Sequence, residues 1–103
     1  MIVVISAGAE ADIEAIGDFI AKDNPARAVS FMRNLHEKCL QLADMPEAFS
    51  FVPRFERRGV RRRVYGNYLI FYRVEEARLV ILHVLHGARD YGAILFPDDS
   101  LEP

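Results

Sequence analysis

Val60-Arg61-Arg62-Arg63-Val64-Tyr65-Gly66-Asn67-Tyr68-Leu69-Ile70-Phe71-Tyr72-Arg73-Val74 is the stretch that decides the fold. Two β-rich runs flank Gly66-Asn67, a two-residue turn signal, so the segment reads as a hairpin. A turn that tight sets Tyr65 opposite Tyr68, Arg63 opposite Ile70 and Arg61 opposite Tyr72. The Glu75–Arg78 link then joins a third strand, with Val74 opposite Leu79. Side chains alternate along a strand, so one face collects Val60, Val64, Leu69, Phe71, Val80, Leu82 and Val84, interrupted by Arg62 and Arg73. The other collects Arg61, Arg63, Tyr65, Tyr68, Ile70, Tyr72, Ile81 and His83. The first is the more apolar and is expected to be the core face. A slip of one residue would exchange the two sets.

Upstream, the β-branched run at residues 2–5 reads as a short strand. Ser6 can cap the helix that follows, with Glu10 favouring its dipole. Ile13, Ile16, Phe19 and Ile20 recur at helical spacing, so one face of residues 8–21 is expected to be buried. Gly17 lies on that stripe and costs about 1 kcal/mol against alanine, which suggests that it lets another backbone approach. After the break at Lys22-Asp23-Asn24-Pro25, Asn24 can cap a second helix with Pro25 in its first turn. Ala28, Phe31, Met32, Leu35, Cys39 and Leu42 carry an apolar stripe to about Asp44. So short a link makes the two helices antiparallel neighbours. Residues 46–59 read as a loop with a short edge strand. Asp90 can cap a last short helix through Phe96.

The expected architecture is therefore α+β: an N-terminal strand, an antiparallel helix hairpin packed on one face of a twisted antiparallel sheet, and a short C-terminal helix. Residues 1–96 form a single domain, and residues 97–103 an acidic tail expected to be disordered. Nothing is long and apolar enough to cross a bilayer, and Met1–Ile5 lacks the basic flank and cleavage site of a signal peptide. The single cysteine, Cys39, excludes an intramolecular disulfide and points to a reducing, cytoplasmic setting.

The net charge of −2 conceals an asymmetry. Residues 1–50 hold four basic and eight acidic side chains, residues 51–96 nine and four. All the basic residues except Lys22 and Lys38 are arginine, which grips carboxylates and phosphates in a planar fork and stacks on aromatic rings. The basic half thus suits an anionic surface, or is simply a solvated sheet face.

Catalytic signatures are sparse. There is no Gly-rich phosphate loop, paired-histidine helix motif or nucleophile elbow. His83 and His86 stand three apart on a strand and so point to opposite faces, and His36 sits on a distant helix, which argues against a metal site. No cofactor is implied. Cys39 belongs to the buried stripe of its helix. The aromatic and basic face allows three roles. Tyrosine and arginine favour protein interfaces. Cross-strand arginine–tyrosine packing would be structural, worth about 0.5–1 kcal/mol per exposed pair. Tyr65, Tyr68 or Tyr72 could stack bases while Arg61 and Arg63 hold phosphate. A protein partner ranks first, structure second and nucleic acid third. In His86-Gly87-Ala88-Arg89-Asp90, His86 and Arg89 stand at a strand exit as functional candidates, whereas Asp90 pairs with Arg89 or caps the helix. Cleavage of RNA needs a base, an acid and cations around the phosphate. His83 or His86, Tyr91 and the arginines supply those types.

These residues carry a family resemblance. Ala11-Asp12-Ile13-Glu14-Ala15-Ile16, Phe19-Ile20-Ala21-Lys22-Asp23-Asn24-Pro25, Leu42-Ala43-Asp44-Met45-Pro46-Glu47-Ala48, Gly66-Asn67-Tyr68-Leu69-Ile70-Phe71-Tyr72-Arg73-Val74 and Val84-Leu85-His86-Gly87-Ala88-Arg89-Asp90 span nearly the whole chain. Together they resemble the ParE branch of the RelE/ParE toxins of bacterial toxin–antitoxin pairs. The last two segments, in that order, are the most specific.

The resemblance implies a helix hairpin on a twisted antiparallel sheet and a non-enzymatic toxin that poisons DNA gyrase. It implies neutralisation by a cognate antitoxin with an acidic C-terminal arm. On that reading the target- or antitoxin-binding residues are Arg61, Arg62, Arg63, Tyr65, Tyr68, Tyr72, Arg73, His86 and Arg89. The sister branch, similar in fold, cuts messenger RNA on the ribosome. Its counterpart here would be Arg61, Arg63, Arg73, His86 and Tyr91, although the order of His86, Gly87 and Tyr91 departs from that branch's usual pattern. A toxin-fold protein that only binds its antitoxin is a third alternative.

Overall fold

The computed structural model describes residues 1–97; apart from Pro97, the expected acidic tail lies outside the described residues. Strand β1 (Ile2–Ile5) leads into helix α1 (Ala7–Ala21) and helix α2 (Pro25–Gln41). A 3-10 turn (Leu42–Asp44) and a loop containing a second one (Glu56–Arg58) connect to β2 (Val60–Tyr65), β3 (Tyr68–Glu75) and β4 (Arg78–His86), and α3 (Tyr91–Leu95) follows. The sheet order is β1-β4-β3-β2.

Local chemistry sets the helix boundaries. The Ser6 hydroxyl oxygen accepts from Ala9 N–H (3.1 Å) and donates to the Leu82 carbonyl (3.0 Å), so the cap of α1 also ties it to β4. The Asn24 side chain accepts from Arg27 N–H (3.0 Å), with Pro25 opening α2. The three-residue link between them returns α2 onto α1. Gly17 is buried where a Cβ would fall 2.2 Å from the Met32 Sδ. The close neighbour is thus a side chain, not the backbone expected.

The hairpin forms with the expected register: Tyr65 faces Tyr68, Arg63 faces Ile70 and Arg61 faces Tyr72, around Gly66 at φ +59°. Val74 faces Leu79 as read. The loop before β2 supplies an isolated antiparallel bridge, Phe51 to Arg61, the expected edge pairing reduced to one rung.

Four expectations are corrected. First, the sheet is mixed, because β1 runs parallel to β4. The long excursion through both helices and the hairpin permits such a pairing, which a tight turn would forbid. Second, the helices cover the other face. Ile70, Tyr72, Leu79, Ile81 and Val84 join Ala9, Ile16, Leu35, Cys39 and Leu42 in the main core, with Tyr65 and Tyr68 packed against it. Val64, assigned to the core face, is 65% exposed. Phe71 and Val60 are buried instead in a second cluster with Val52 and Leu85, flanked by Phe55, Leu69, Leu82, Tyr91 and the apolar side of α3. Third, the β3–β4 ladder shifts register between Phe71 and Tyr72, which face His83 and Ile81, so Leu82 is the extra residue of a bulge. That is why Ile81 and Val84, three apart, both reach the helix-covered core. Fourth, Phe19 leaves the α1 stripe and stands 67% exposed.

Candidate functional site

The arginine triplet on β2 divides between the two faces. Arg61 and Arg63 alternate with Arg62, and their helix-side neighbours have backbone acceptors to offer. The Arg61 Nη1 donates to the carbonyls of Phe49 (2.7 Å) and Glu47 (3.4 Å), while its guanidinium lies 3.9 Å from the Phe51 ring centroid. The Arg63 Nη1 donates to the Lys38 carbonyl in the last turn of α2 (3.1 Å), where a cation complements the helix dipole. Both its terminal nitrogens approach Gln41 Oε1 at 3.4 Å, and it stands 5.1 Å from the Phe49 ring. These two side chains fasten the 47–51 segment and the end of α2 to the sheet.

Tyr72 is fully buried beneath the helices, and its hydroxyl donates to the Pro46 carbonyl (2.9 Å). Burial pushes its phenol above the ordinary value, against the nearby Arg61 charge. Its inclusion among residues that touch a partner is corrected: it has no surface to offer. Tyr65 and Tyr68 are half-buried, flanking Phe31 of α2 at 5.4 and 5.5 Å between centroids. Cys39 lies in the same core, and burial pushes its thiol up to about 11, with the Arg63 charge opposing.

The opposite face carries Arg62, Arg73 and Tyr91. The Arg62 Nη1 donates to the Tyr91 hydroxyl (3.2 Å), and the Tyr91 ring packs 5.1 Å from Phe71. Arg73 grips Glu75 through Nε (3.0 Å) and Nη2 (2.8 Å), and Arg78 reaches the other Glu75 oxygen (3.1 Å). The hydrogen bonds from Arg73 and then Arg78 hold the Glu75 carboxyl below the usual carboxylate range.

Around the β4 exit, His86 is exposed and lies edge-on to Tyr68 at 5.6 Å. Ala88 N–H donates to its Nδ1 (3.1 Å), so the neutral ring carries its proton on Nε2. His83 stays on the face of Tyr72 and Ile81, as alternation placed it, and meets α1, where its Nδ1 lies 2.7 Å from Asp12 Oδ2, which also accepts from Val84 N–H (2.9 Å). His86, expected on the opposite face from His83, is brought to the same side by the bulge, where it faces Tyr68. Both imidazoles therefore contact the helix-covered side, and Asp12 is a polar partner that its sequence context did not single out. Asp90 occupies the N-cap position of α3 but makes no side-chain cap bond. Among the described residues no cluster of histidine, cysteine and carboxylates could hold a metal ion.

The structure does not assemble Arg61, Arg63, Arg73, His86 and Tyr91 into one constellation. Arg61, Arg63 and His86 belong with the helix-side residues, whereas Arg73 and Tyr91 belong with the opposite cluster. What it does place together is Arg89, Asp90 and Tyr91 with Pro53, Arg54 and Phe55, around an open cavity of about 570 Å³. Arg54 and Phe55 were not singled out by sequence; they lie in an irregular loop with no periodic signal.

A family model described as "ParE toxin of type II toxin-antitoxin system, parDE" matches residues 3–91. No curated protein matches the chain. Among solved structures, a chain of the "Chromosomal ParDE TA system from P. aeruginosa" is similar with a TM-score of 0.71 at 22% identity, over 84% of this chain and 95% of that one. That likeness is one of fold.

Proposed function

This chain belongs to the ParE toxins of type II toxin–antitoxin systems, and from that membership we propose that it acts by binding, poisoning DNA gyrase and so blocking replication, until a cognate antitoxin neutralises it. The observation that carries binding over cleavage is the division of the basic and acid–base residues between two sheet faces. Transfer of a phosphoryl group needs its base, acid and cations on one reacting centre. A macromolecular grip needs only spaced cations and aromatic edges.

On this reading Arg62, Arg73, His86 and Arg89, with the exposed edges of Tyr65 and Tyr68, meet the target or the antitoxin. Arg61 and Arg63 contribute by holding β2 against α2, and Tyr72 by packing. An antitoxin arm rich in carboxylates would complement this half of the chain, whose basic residues outnumber its acidic ones. The toxin works in the cytoplasm, where gyrase acts.

The test is purified gyrase with relaxed and supercoiled plasmid. Added toxin should block supercoiling and accumulate linear DNA on detergent treatment, and an equimolar antitoxin should reverse both. Untouched supercoiling at saturating toxin, with no linear product, removes gyrase as the target. Cuts in messenger RNA on translating ribosomes that vanish in His86→Ala would replace binding by cleavage.

A further inference from the structure

The cavity between the 53–55 loop and the β4–α3 corner shares only Arg89 with the reading above. Pro53, Arg54 and Phe55 form one wall and Arg89, Asp90, Tyr91, Gly92 and Ala93 the other. Its volume of about 570 Å³ falls within the roughly 300–1,000 Å³ usual for small-molecule sites. We propose that it binds a nucleoside monophosphate, with the phosphate between Arg54 and Arg89 and a donor-bearing base toward Asp90.

The cavity brings two exposed arginines to one concave site. Elsewhere in the basic half Arg61, Arg62, Arg63, Arg73 and Arg78 bond within the fold, and Arg57 is exposed but does not line the cavity. Arg54 and Arg89 are exposed and their side chains have no partner among the described residues. One guanidinium fork satisfies a carboxylate, whereas two match the charge and the several oxygens of a phosphate monoester. Asp90 is likewise unpaired among the described residues and does not cap α3. A carboxylate accepts hydrogen bonds and repels anions, so the ligand must bring N–H or O–H donors at a distance from its phosphate. Guanine offers two adjacent donors to one carboxylate. The walls between are the rings of Phe55, stacked on Phe96 at 5.0 Å, and Tyr91, fixed by Phe71 and Arg62. Gly92 admits the Phe55 ring, which a Cβ there would meet at 3.2 Å.

The backbone adds an independent sign. Arg54 holds φ +78°, a left-handed conformation that costs a non-glycine residue stability. Strained residues of this kind concentrate at ligand sites. The turn that enforces it, Phe55 N–H to the Val52 carbonyl at 3.0 Å, is anchored by Val52 in the second core.

The test is titration of the full chain with guanosine monophosphate, inorganic phosphate and guanosine, followed by calorimetry and by amide shifts. Saturable binding of guanosine monophosphate with shifts centred on residues 53–55 and 89–93 is expected. Inorganic phosphate should bind at least tenfold more weakly. Arg89→Ala and Arg54→Gly should each lower affinity tenfold or more. Glycine tolerates the left-handed backbone, so Arg54→Gly should fold at least as well as wild type, and lost binding in it reports the guanidinium. Asp90→Asn should weaken the nucleotide and leave phosphate unweakened. No saturation at millimolar nucleotide, unchanged affinity in Arg54→Gly, or equal binding of phosphate alone would each overturn the site. Gyrase inhibition has no part in these readouts, so failure here and failure of the toxin reading are separable.

Discussion

Both faces of the β2–β3–β4 sheet are buried, but by different means. On one, two regular helices lie across Ile70, Tyr72, Ile81 and Val84, and the cluster is continuous with β1. On the other, an irregular loop and the five-residue α3 shelter Val60, Phe71 and Leu85. The helix-covered face uses polar side chains as fasteners: the Tyr72 hydroxyl and two guanidiniums reach carbonyls at Pro46, Glu47, Phe49 and Lys38. The opposite face holds its arginines in side-chain pairs with Tyr91 and Glu75. The lesson is that arginine and tyrosine can mark a core as readily as a surface, wherever a loop or helix end presents unsatisfied carbonyls to them.

The strongest way to break this comparison is Tyr72→Ala. It removes a fully buried ring and the bond to Pro46, and should cost about 3–5 kcal/mol in urea unfolding. Tyr72→Phe, which keeps the ring, should cost only about 0.5–1.5 kcal/mol. A Tyr72→Ala protein as stable as wild type would mean that the helices do not cover this face.

Much of the fold was legible because it is written in short-range chemistry. Ser6, Asn24 and Pro25 announce helix starts, and Gly66-Asn67 fixes a register that the structure reproduces pair by pair. Which face the helices take was not legible. Alternation separates Tyr65, Tyr68, Ile70 and Tyr72 from Val64, Leu69 and Phe71, but the face with more aliphatic side chains is not the one the helices cover. The choice depends on where the 46–51 carbonyls lie, a long-range fact. Nor does Leu82-His83 advertise a bulge, since no glycine or proline marks it. The parallel seat of β1 is equally silent, because strand order depends on the whole chain. At the candidate site, His86, Arg89 and Tyr91 could be read from their place after a strand. Arg54 and Phe55 could not, because their contribution comes from the course of a loop and a left-handed backbone.

The two faces should also respond to pH in opposite directions. Cys39 and Tyr72 both lie in the helix-covered core with raised values, Cys39 at about 11. A thiol whose folded value exceeds its unfolded one keeps its proton in the native state, so the native state binds more protons above about pH 9. Stability is therefore complete below that and falls as pH rises toward 11, by on the order of 2 kcal/mol from Cys39. Cys39→Ala should flatten that part of the alkaline decline in urea midpoints. An unchanged slope would place the thiol in contact with water. Native-state alkylation at pH 8 should be slow and accelerate in denaturant.

A smaller effect compares the fasteners themselves. Arg63→Ala releases the Lys38 carbonyl at the end of α2 and should cost about 1 kcal/mol, with faster amide exchange confined to the last turn of that helix. Tyr91→Phe loses only the Arg62 bond on the opposite face and should cost about 0.5–1 kcal/mol, with faster exchange confined to α3. Exchange spreading from either variant into the other face would show one cooperative layer where the contacts describe two.

Acid should act on the opposite face, where Glu75 stands between Arg73 and Arg78. Its carboxyl is held below the ordinary range by those hydrogen bonds, so its contribution is present above the unfolded value of about 4 and disappears as pH falls through the folded one. The pair is open to solvent, so the loss is screened and small. Glu75→Gln should show a shallower fall in urea midpoint between pH 6 and 3 than wild type, and an unaltered alkaline limb. The Cys39→Ala protein should show the converse: the acid limb kept and the alkaline limb flattened. If either variant altered both limbs, the two faces would be electrostatically coupled through the sheet, and the loop-covered cluster could not open while the helix-covered core stayed closed.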